Sequence, residues 1–151
     1  MFPHYDLTIP PANLNLKNEE GKTVVLDIIR KKYVALTPEE WVRQHFIHYL
    51  IEVMKYPKSL FKIEGGLHYN KLQKRTDIVI RDRNVKAWML VECKAPTVKI
   101  SKAAFNQAAL YNLTVGAKYV VVTNGRLHFC FESEKKIQLK SLPVFDEATP
   151  F

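Results

Sequence analysis

The amino-acid sequence predicts an α/β (α+β) domain built on a mixed central sheet flanked by helices, and three features of the chain predict it. A capped helix start stands at Thr37-Pro38-Glu39-Glu40. Behind it come three strand-like runs, residues 60–67, 76–81 and 87–93. An Ala- and Leu-rich helical segment over 101–115 then delivers the chain into the apolar, β-branched run Tyr119-Val120-Val121-Val122. A strand, a helix and another strand in that order form a right-handed crossover, which makes 87–93 and 119–122 parallel neighbours.

Each element has a local reason. Thr37 can cap the first helix, Pro38 suits a first turn that needs no amide hydrogen, and Glu40 at the third helical position can complete a capping box. Val42, Phe46, Leu50 and Val53 recur at three- and four-residue spacing, a buried stripe that runs until Pro57. Asp82-Arg83-Asn84 is a polar turn that makes the second and third strands a hairpin. Ser101 can cap the second helix and Gly116 can end it. Asn124-Gly125 is a two-residue hairpin signal that returns the chain over 127–131. Ahead of the first helix, residues 14–16 and 23–29 flank the turn-like Asn18-Glu19-Glu20-Gly21 and suggest a hairpin. The expected organisation is an N-terminal hairpin extension over 1–36, a core over 37–140, and a tail with two prolines over 141–151.

Composition narrows the function. The 151 residues, 47% hydrophobic and 25% charged, suffice for one domain that buries roughly two-thirds of its unfolded surface. Disordered, collagen-like and disulfide-scaffold classes are excluded. No basic-then-apolar leader opens the chain and no stretch reaches the ~20 apolar residues of a membrane span, so the expectation is a cytoplasmic protein with no membrane partner. Cys93 and Cys130 lie in apolar runs without CxxC spacing and read as buried thiols. Twenty-three Lys and Arg against 15 Asp and Glu give a net charge of +8, which suits a polyanionic partner. Basic runs stand at Arg30-Lys31-Lys32 and over 71–75.

One anomaly carries chemistry. Val91-Glu92-Cys93-Lys94 places two charges at the end of a buried strand, where a charge is costly unless something pairs with it. Residues two apart on a strand share a face, so Glu92 and Lys94 point together while Cys93 faces the other way. Asp77 lies near the start of the hairpin partner and falls opposite Leu90 or Glu92, depending on the turn length. Paired carboxylates of this kind can hold Mg²⁺, which keeps several waters and takes phosphate oxygens in its remaining positions. Lys94 adds a point charge beside them. A structural Asp-Lys-Glu ion-pair network is the competing reading of the same three residues.

The wider pattern resembles a known superfamily. Thr76-Asp77, fourteen residues, then Glu92-Cys93-Lys94, set in a helix, three-strand, helix, strand order, resembles the PD-(D/E)xK nucleases. Gln107-Ala108-Ala109-Leu110-Tyr111, separated from Lys94 by twelve residues, matches the QxxxY motif of the branch that contains type I restriction enzyme R-subunit nuclease domains. Between about Thr37 and Glu132, the phrases Thr37 through Gln44, Arg75-Thr76-Asp77-Ile78-Val79, Glu92-Cys93-Lys94-Ala95-Pro96 and Thr123-Asn124-Gly125 resemble that R-subunit N-terminal family in particular. The resemblance implies a restriction-endonuclease-like αβββαβ core and Mg²⁺-dependent hydrolysis of DNA phosphodiesters, with Mn²⁺ as a substitute. It implies Asp77 and Glu92 as metal ligands, the Cys93 main-chain carbonyl as a third, and Lys94 as the residue that positions water or stabilises the transition state. Gln107 and Tyr111, four apart on one helix face, would orient DNA and the catalytic groups. Thr76 stands where the superfamily is named for proline, a residue that shapes the strand and does no chemistry. No GxxxxGK[ST] loop is present, so a motor or specificity subunit is expected on another chain, with a homodimer as a further partner. The alternative function is a catalytically idle nucleic-acid-binding or assembly module of a restriction or repair complex.

Other residues weigh less. Glu40 could supply a further carboxylate, but capping explains it as well. Glu64, beside Gly65-Gly66, could approach the metal or lie on a solvated edge. His45 and His48 are three apart without a zinc-spaced partner set and read as surface or half-buried residues. Phe129, Phe131, Tyr119 and the two tryptophans read as core.

Overall fold

Two sheets with a helix between them organise the chain. The computed structural model describes residue 2, residues 4–65 and residues 76–145, and of residues 64, 65, 76 and 77 the backbone alone. A three-stranded antiparallel sheet comes first: β1 (Leu16–Glu19), β2 (Lys22–Asp27) and β3 (Lys32–Ala35). The β1–β2 turn places Glu20 and Gly21 at φ 52° and 81°, the left-handed pair a tight hairpin needs, and Asn18 Oδ1 accepts from the Gly21 amide. The expected hairpin is present. The third strand was not expected, because Lys32–Ala35 is short and half-polar and its pairing with β2 is a tertiary matter.

Helix α1 (Pro38–His48) begins as the sequence predicts, with Thr37 Oγ1 accepting from the Glu40 amide at 3.1 Å. The reciprocal half of the capping box is replaced: the Glu40 side chain turns to Arg43 and Gln44. Val42, Phe46 and Leu50 are fully buried as expected, whereas Val53 is half exposed. The last turn, Tyr49–Val53, winds as a π-helix, and its wider turn rotates Val53 off the apolar stripe. More surprising is that Glu40 through Ile47 are all buried. Phe46 and Ile47 pack on the large sheet while Trp41 packs with Val25 of β2 and Leu36, so the small sheet covers the side a surface helix would give to water.

The large sheet has six strands in the order β4-β5-β6-β7-β8-β9: β4 (Phe61–Gly65), β5 (Thr76–Arg81), β6 (Ala87–Cys93), β7 (Tyr119–Thr123), β8 (His128–Glu132) and β9 (Ile137–Leu139). Only β6 and β7 are parallel. Between them runs α2 (Lys102–Val115), capped by Ser101 Oγ on the Ala104 amide and ended by Gly116 at φ 75°. The crossover expected from sequence is therefore present, and the sheet is mixed with helices against it. Alternation along the strands assigns the two faces. Ile78, Ile80, Met89, Val91, Cys93 and Val121 meet α1, whereas Val79, Leu90, Val120 and Val122 lie under α2 with Ala108 and Tyr111.

Two expectations at the β7–β8 tip and the end are corrected, and one strand is described in part. The run 60–67 is a strand over Phe61–Gly65, and residues 66 and 67 lie outside the described residues, as do 71–75. The β7–β8 tip is Gly125-Arg126, one residue beyond the expected Asn124-Gly125, because Asn124 closes the loop itself: its amide donates to Leu127 O, and its Oδ1 accepts from the Arg126 and Leu127 amides. Gly125 is favoured there by its φ of 84°, and an added Cβ would lie 2.6 Å from Leu7 Cδ2, so that the leucine side chain would have to shift. Finally, β9 adds a strand, and the run read as a tail folds back: Phe145 is buried against Tyr56 with ring centroids 5.5 Å apart, and the Tyr56 hydroxyl donates to Pro143 O.

Candidate active site

The C-terminal ends of β6 and β7 lie at one end of the sheet together with the start of β5 and the end of β4. Register decides what meets there. Glu64, Asp77 and Glu92 stand directly opposite one another on β4, β5 and β6, so three carboxylate-bearing positions form one row on the α2 face. The choice left open by the sequence, Leu90 or Glu92 opposite Asp77, falls on Glu92. The reason is the turn: Asp82 Oδ1 accepts from the Asn84 and Lys86 amides, the Asp82 amide donates to Lys86 O, and the register slips by one between Ile80 and Arg81.

Glu92 is only 3% exposed, and a carboxylate at that depth is tolerated only with strong partners. Lys94 supplies one: its Nζ lies 3.1 Å from Glu92 Oε2, with the lysine side chain 29% exposed toward the open end of the sheet. Its backbone is held as well, since the Lys94 amide donates to Thr123 O at 2.8 Å and so extends the parallel ladder one residue past the strand. Thr123 is itself fixed, with its Oγ1 accepting from the Gly125 amide and 2.7 Å from His128 Nδ1. Burial pushes the His128 imidazole below its ordinary pKa, which keeps it neutral and able to accept there.

Cys93 points the other way, into the α1-side core, so its thiol cannot serve a site on the α2 face and only its carbonyl remains as a donor. Cys130 is likewise buried, its thiol pushed up to about 12 by burial, which removes it as a nucleophile. Both cysteines are the buried thiols the sequence suggests.

Helix α2 starts at this same end of the sheet and runs back over the row. Tyr111 packs against Val79 and Leu90, each two residues from Asp77 and Glu92 on the same face, and its hydroxyl oxygen is buried. Gln107, one turn nearer the start of α2, is exposed. The structure thus places Tyr111 over the strands that carry the row and leaves Gln107 on the exposed surface of α2. Carboxylate oxygens are hard donors suited to Mg²⁺, and two or three in one cross-strand row fit such an ion. Among the described residues no group of three metal-ligating side chains comes together, and the side chains of Asp77 and Glu64 lie outside that description.

Two sequence candidates go elsewhere. Glu40 is buried in a cluster with Arg43, Gln44 and Arg30, and Asp27 joins it by accepting from Gln44 Nε2, Arg30 Nε and the Ile29 and Arg30 amides. This is a bolt between β2 and α1 that sequence reasoning missed, although an Asp and a Glu each three residues before an Arg were its visible signal. His45 is buried, its Nδ1 2.8 Å from Trp41 O, and burial pulls its pKa below the ordinary value; His48 pairs with Glu52. No helix among the described residues is long and apolar enough to cross a membrane.

Comparison with known proteins gives one family over most of the chain. A family model described as Type I restriction enzyme R protein N terminus (HSDR_N) matches residues 38–145, from the first residue of α1 to Phe145. No curated protein and no solved structure gives a significant match. With more than two-thirds of its length covered by that model, the chain belongs to the family of the type I restriction enzyme R protein N terminus.

Proposed function

We propose that the chain hydrolyses DNA phosphodiester bonds at the C-terminal end of β6, with Mg²⁺ as cofactor and Mn²⁺ as its substitute. The observation that carries this reading is the register that sets Asp77 against Glu92, with Lys94 at 3.1 Å from the glutamate and part of its side chain open to the outside. Asp77 and Glu92 would hold the ion, with the Cys93 carbonyl as a third donor. Bound there, the ion would lower the pKa of a coordinated water and neutralise charge on phosphate oxygens.

The chain's own residues supply the rest. Lys94 stands where a compact cation can offset charge that develops on the phosphate, an electrostatic role that requires a fixed position and partial dehydration. Its ladder bond to Thr123 provides the position, and the buried Glu92 carboxylate holds the ammonium at the rim. Tyr111 and Gln107 line the helix above the row and would orient the DNA strand. DNA is the substrate, and a motor or specificity subunit of a restriction complex is the partner. A homodimer would pair two sites for double-strand cleavage, since one site cuts one strand.

The test is Mg²⁺-dependent nicking of supercoiled plasmid, with wild type and Lys94→Ala side by side, joined by calorimetric titration of Mn²⁺ into Asp77→Asn and Glu92→Gln. Nicking by wild type, its loss in Lys94→Ala and weaker Mn²⁺ binding in both carboxylate variants are expected. Equal nicking by Lys94→Ala, or unchanged metal affinity in both carboxylate variants, would reject the assignment. No nicking by wild type at all would leave a nucleic-acid-binding or assembly module.

A further inference from the structure

Between Glu92 and Glu132 the chain contains no Asp or Glu, and its five cations there are Lys94, Lys99, Lys102, Lys118 and Arg126. The topology sorts them. Lys118 precedes β7 and lies at the far end of the sheet, whereas the other four follow β6, open α2 or cap the β7–β8 tip, all at the end where Glu92 sits. Lys99, Lys102 and Arg126 are exposed.

These cations stand on two segments that are tied together. Asn124 is buried, and its Nδ2 donates to Val98 O at 2.8 Å, while its Oδ1 holds the Arg126 and Leu127 amides at 2.9 and 2.8 Å. One side chain thus joins the β6–α2 loop, which bears Lys99 and leads to Lys102, to the tip that bears Arg126. The tip is braced from outside too: the Thr8 amide donates to Gly125 O, Thr8 Oγ1 donates to Arg126 O, and Arg126 Nε donates to Asp6 O. A cluster of cations without a neutralising carboxylate in its own segments, carried on loops that are hydrogen-bonded in place, suits a regular array of negative charge.

We propose that these two segments form a ridge that grips the DNA backbone beside the cleavage site, with Lys99, Lys102 and Arg126 as phosphate contacts. This rests on the functional reading above and says where the substrate's backbone runs. Each neutralised phosphate releases counterions, so each contact contributes about 0.9 to the slope of log affinity against log salt.

The experiment is fluorescence anisotropy of a short fluorescein-labelled duplex in EDTA over a salt series, where binding is read without cleavage. The triple variant Lys99→Ala, Lys102→Ala, Arg126→Ala is compared with Lys86→Ala, Lys135→Ala, Lys136→Ala, which removes the same charge from exposed turns at the opposite end of the sheet. Circular dichroism melts confirm that both are folded. The ridge triple should flatten the slope by about 2.7 and lower affinity on the order of 10²-fold at moderate salt, while the control triple keeps the wild-type slope to within about one contact. An unchanged slope in the ridge triple, or equal losses in the two triples, would overturn the ridge. Wild type that binds and nicks while the ridge triple keeps its slope rejects only this inference. Wild type that binds without nicking rejects the nuclease reading and leaves the ridge to its own slopes, and no binding at all rejects both.

Discussion

Asp27 and Glu40 on one side of the molecule and Glu92 on the other are buried to almost the same depth, yet the company they keep differs. In the bolt between β2 and α1, two carboxylates meet two guanidiniums and an amide, and the charges balance. At the sheet end, a row of three carboxylate-bearing positions stands against Lys94. A balanced cluster satisfies itself and holds elements together; the row at the open strand end is where we propose that a cation from outside is held. Burial alone therefore does not separate structural from functional charge.

The sharpest way to break that contrast is to remove one carboxylate from each cluster. Glu40→Ala strands Arg43 in the interior and should destabilise the fold by about 3–5 kcal/mol in urea or thermal unfolding, the usual cost of an orphaned buried charge. Glu92→Gln should leave the melting temperature unchanged or raise it, because it relieves repulsion along the row. Equal destabilisation by the two substitutions would mean that Glu92 belongs to a structural network.

Activity should separate the regions in the opposite sense. Lys94→Ala should lower the nicking rate by about 10²–10³, around 3–4 kcal/mol of barrier. Lys94→Arg should not restore it fully, since a planar guanidinium does not replace a compact ammonium. Asn124→Ala sits between the two cases: it deletes the Val98 bond and the acceptor for two tip amides, and should cost about 1–3 kcal/mol of stability by chemical denaturation.

The smallest effects are in pH. Burial by itself would raise the Asp27 carboxyl, but the Arg30 amide and guanidinium and the Ile29 amide outweigh it and hold the group below its ordinary value. Its contribution is present above the unfolded value of about 3.9 and lost as pH falls through the lower folded one, so Asp27→Asn should flatten the acid limb of a stability curve. His45 and His128 are depressed by burial. Their neutral forms favour the fold above about pH 6.5, and stability should decline as pH falls below that toward the folded values; His128→Gln should remove part of the decline.

Much of this was legible in one dimension because it depends on residues close in sequence. The Thr37 and Ser101 caps, the Gly116 stop, the alternation of β6 and the pairing of Glu92 with Lys94 on one face follow from backbone geometry within a few residues. What was missed depends on distant partners. The apolar stripe Val42, Phe46, Leu50 and Val53 points to one sheet, and carries no sign that Val25 and Leu36 cover the other side of α1 or that Glu40 meets Arg43 and Gln44 rather than the helix start.

The sequence alone therefore determined the order of the elements, the crossover that makes β6 and β7 parallel, and the identity of the charged residues at the end of β6, since hydrophobic period and capping are local and strong. Only the tertiary structure decided that Asp77 faces Glu92 and not Leu90, because the length of the turn closed between Asp82 and Lys86 and a one-residue slip at Ile80/Arg81 together set the partner of every residue beyond them. It also decided that Lys32–Ala35 and Ile137–Leu139 are strands, for each is too short to form without the neighbour whose hydrogen bonds it completes.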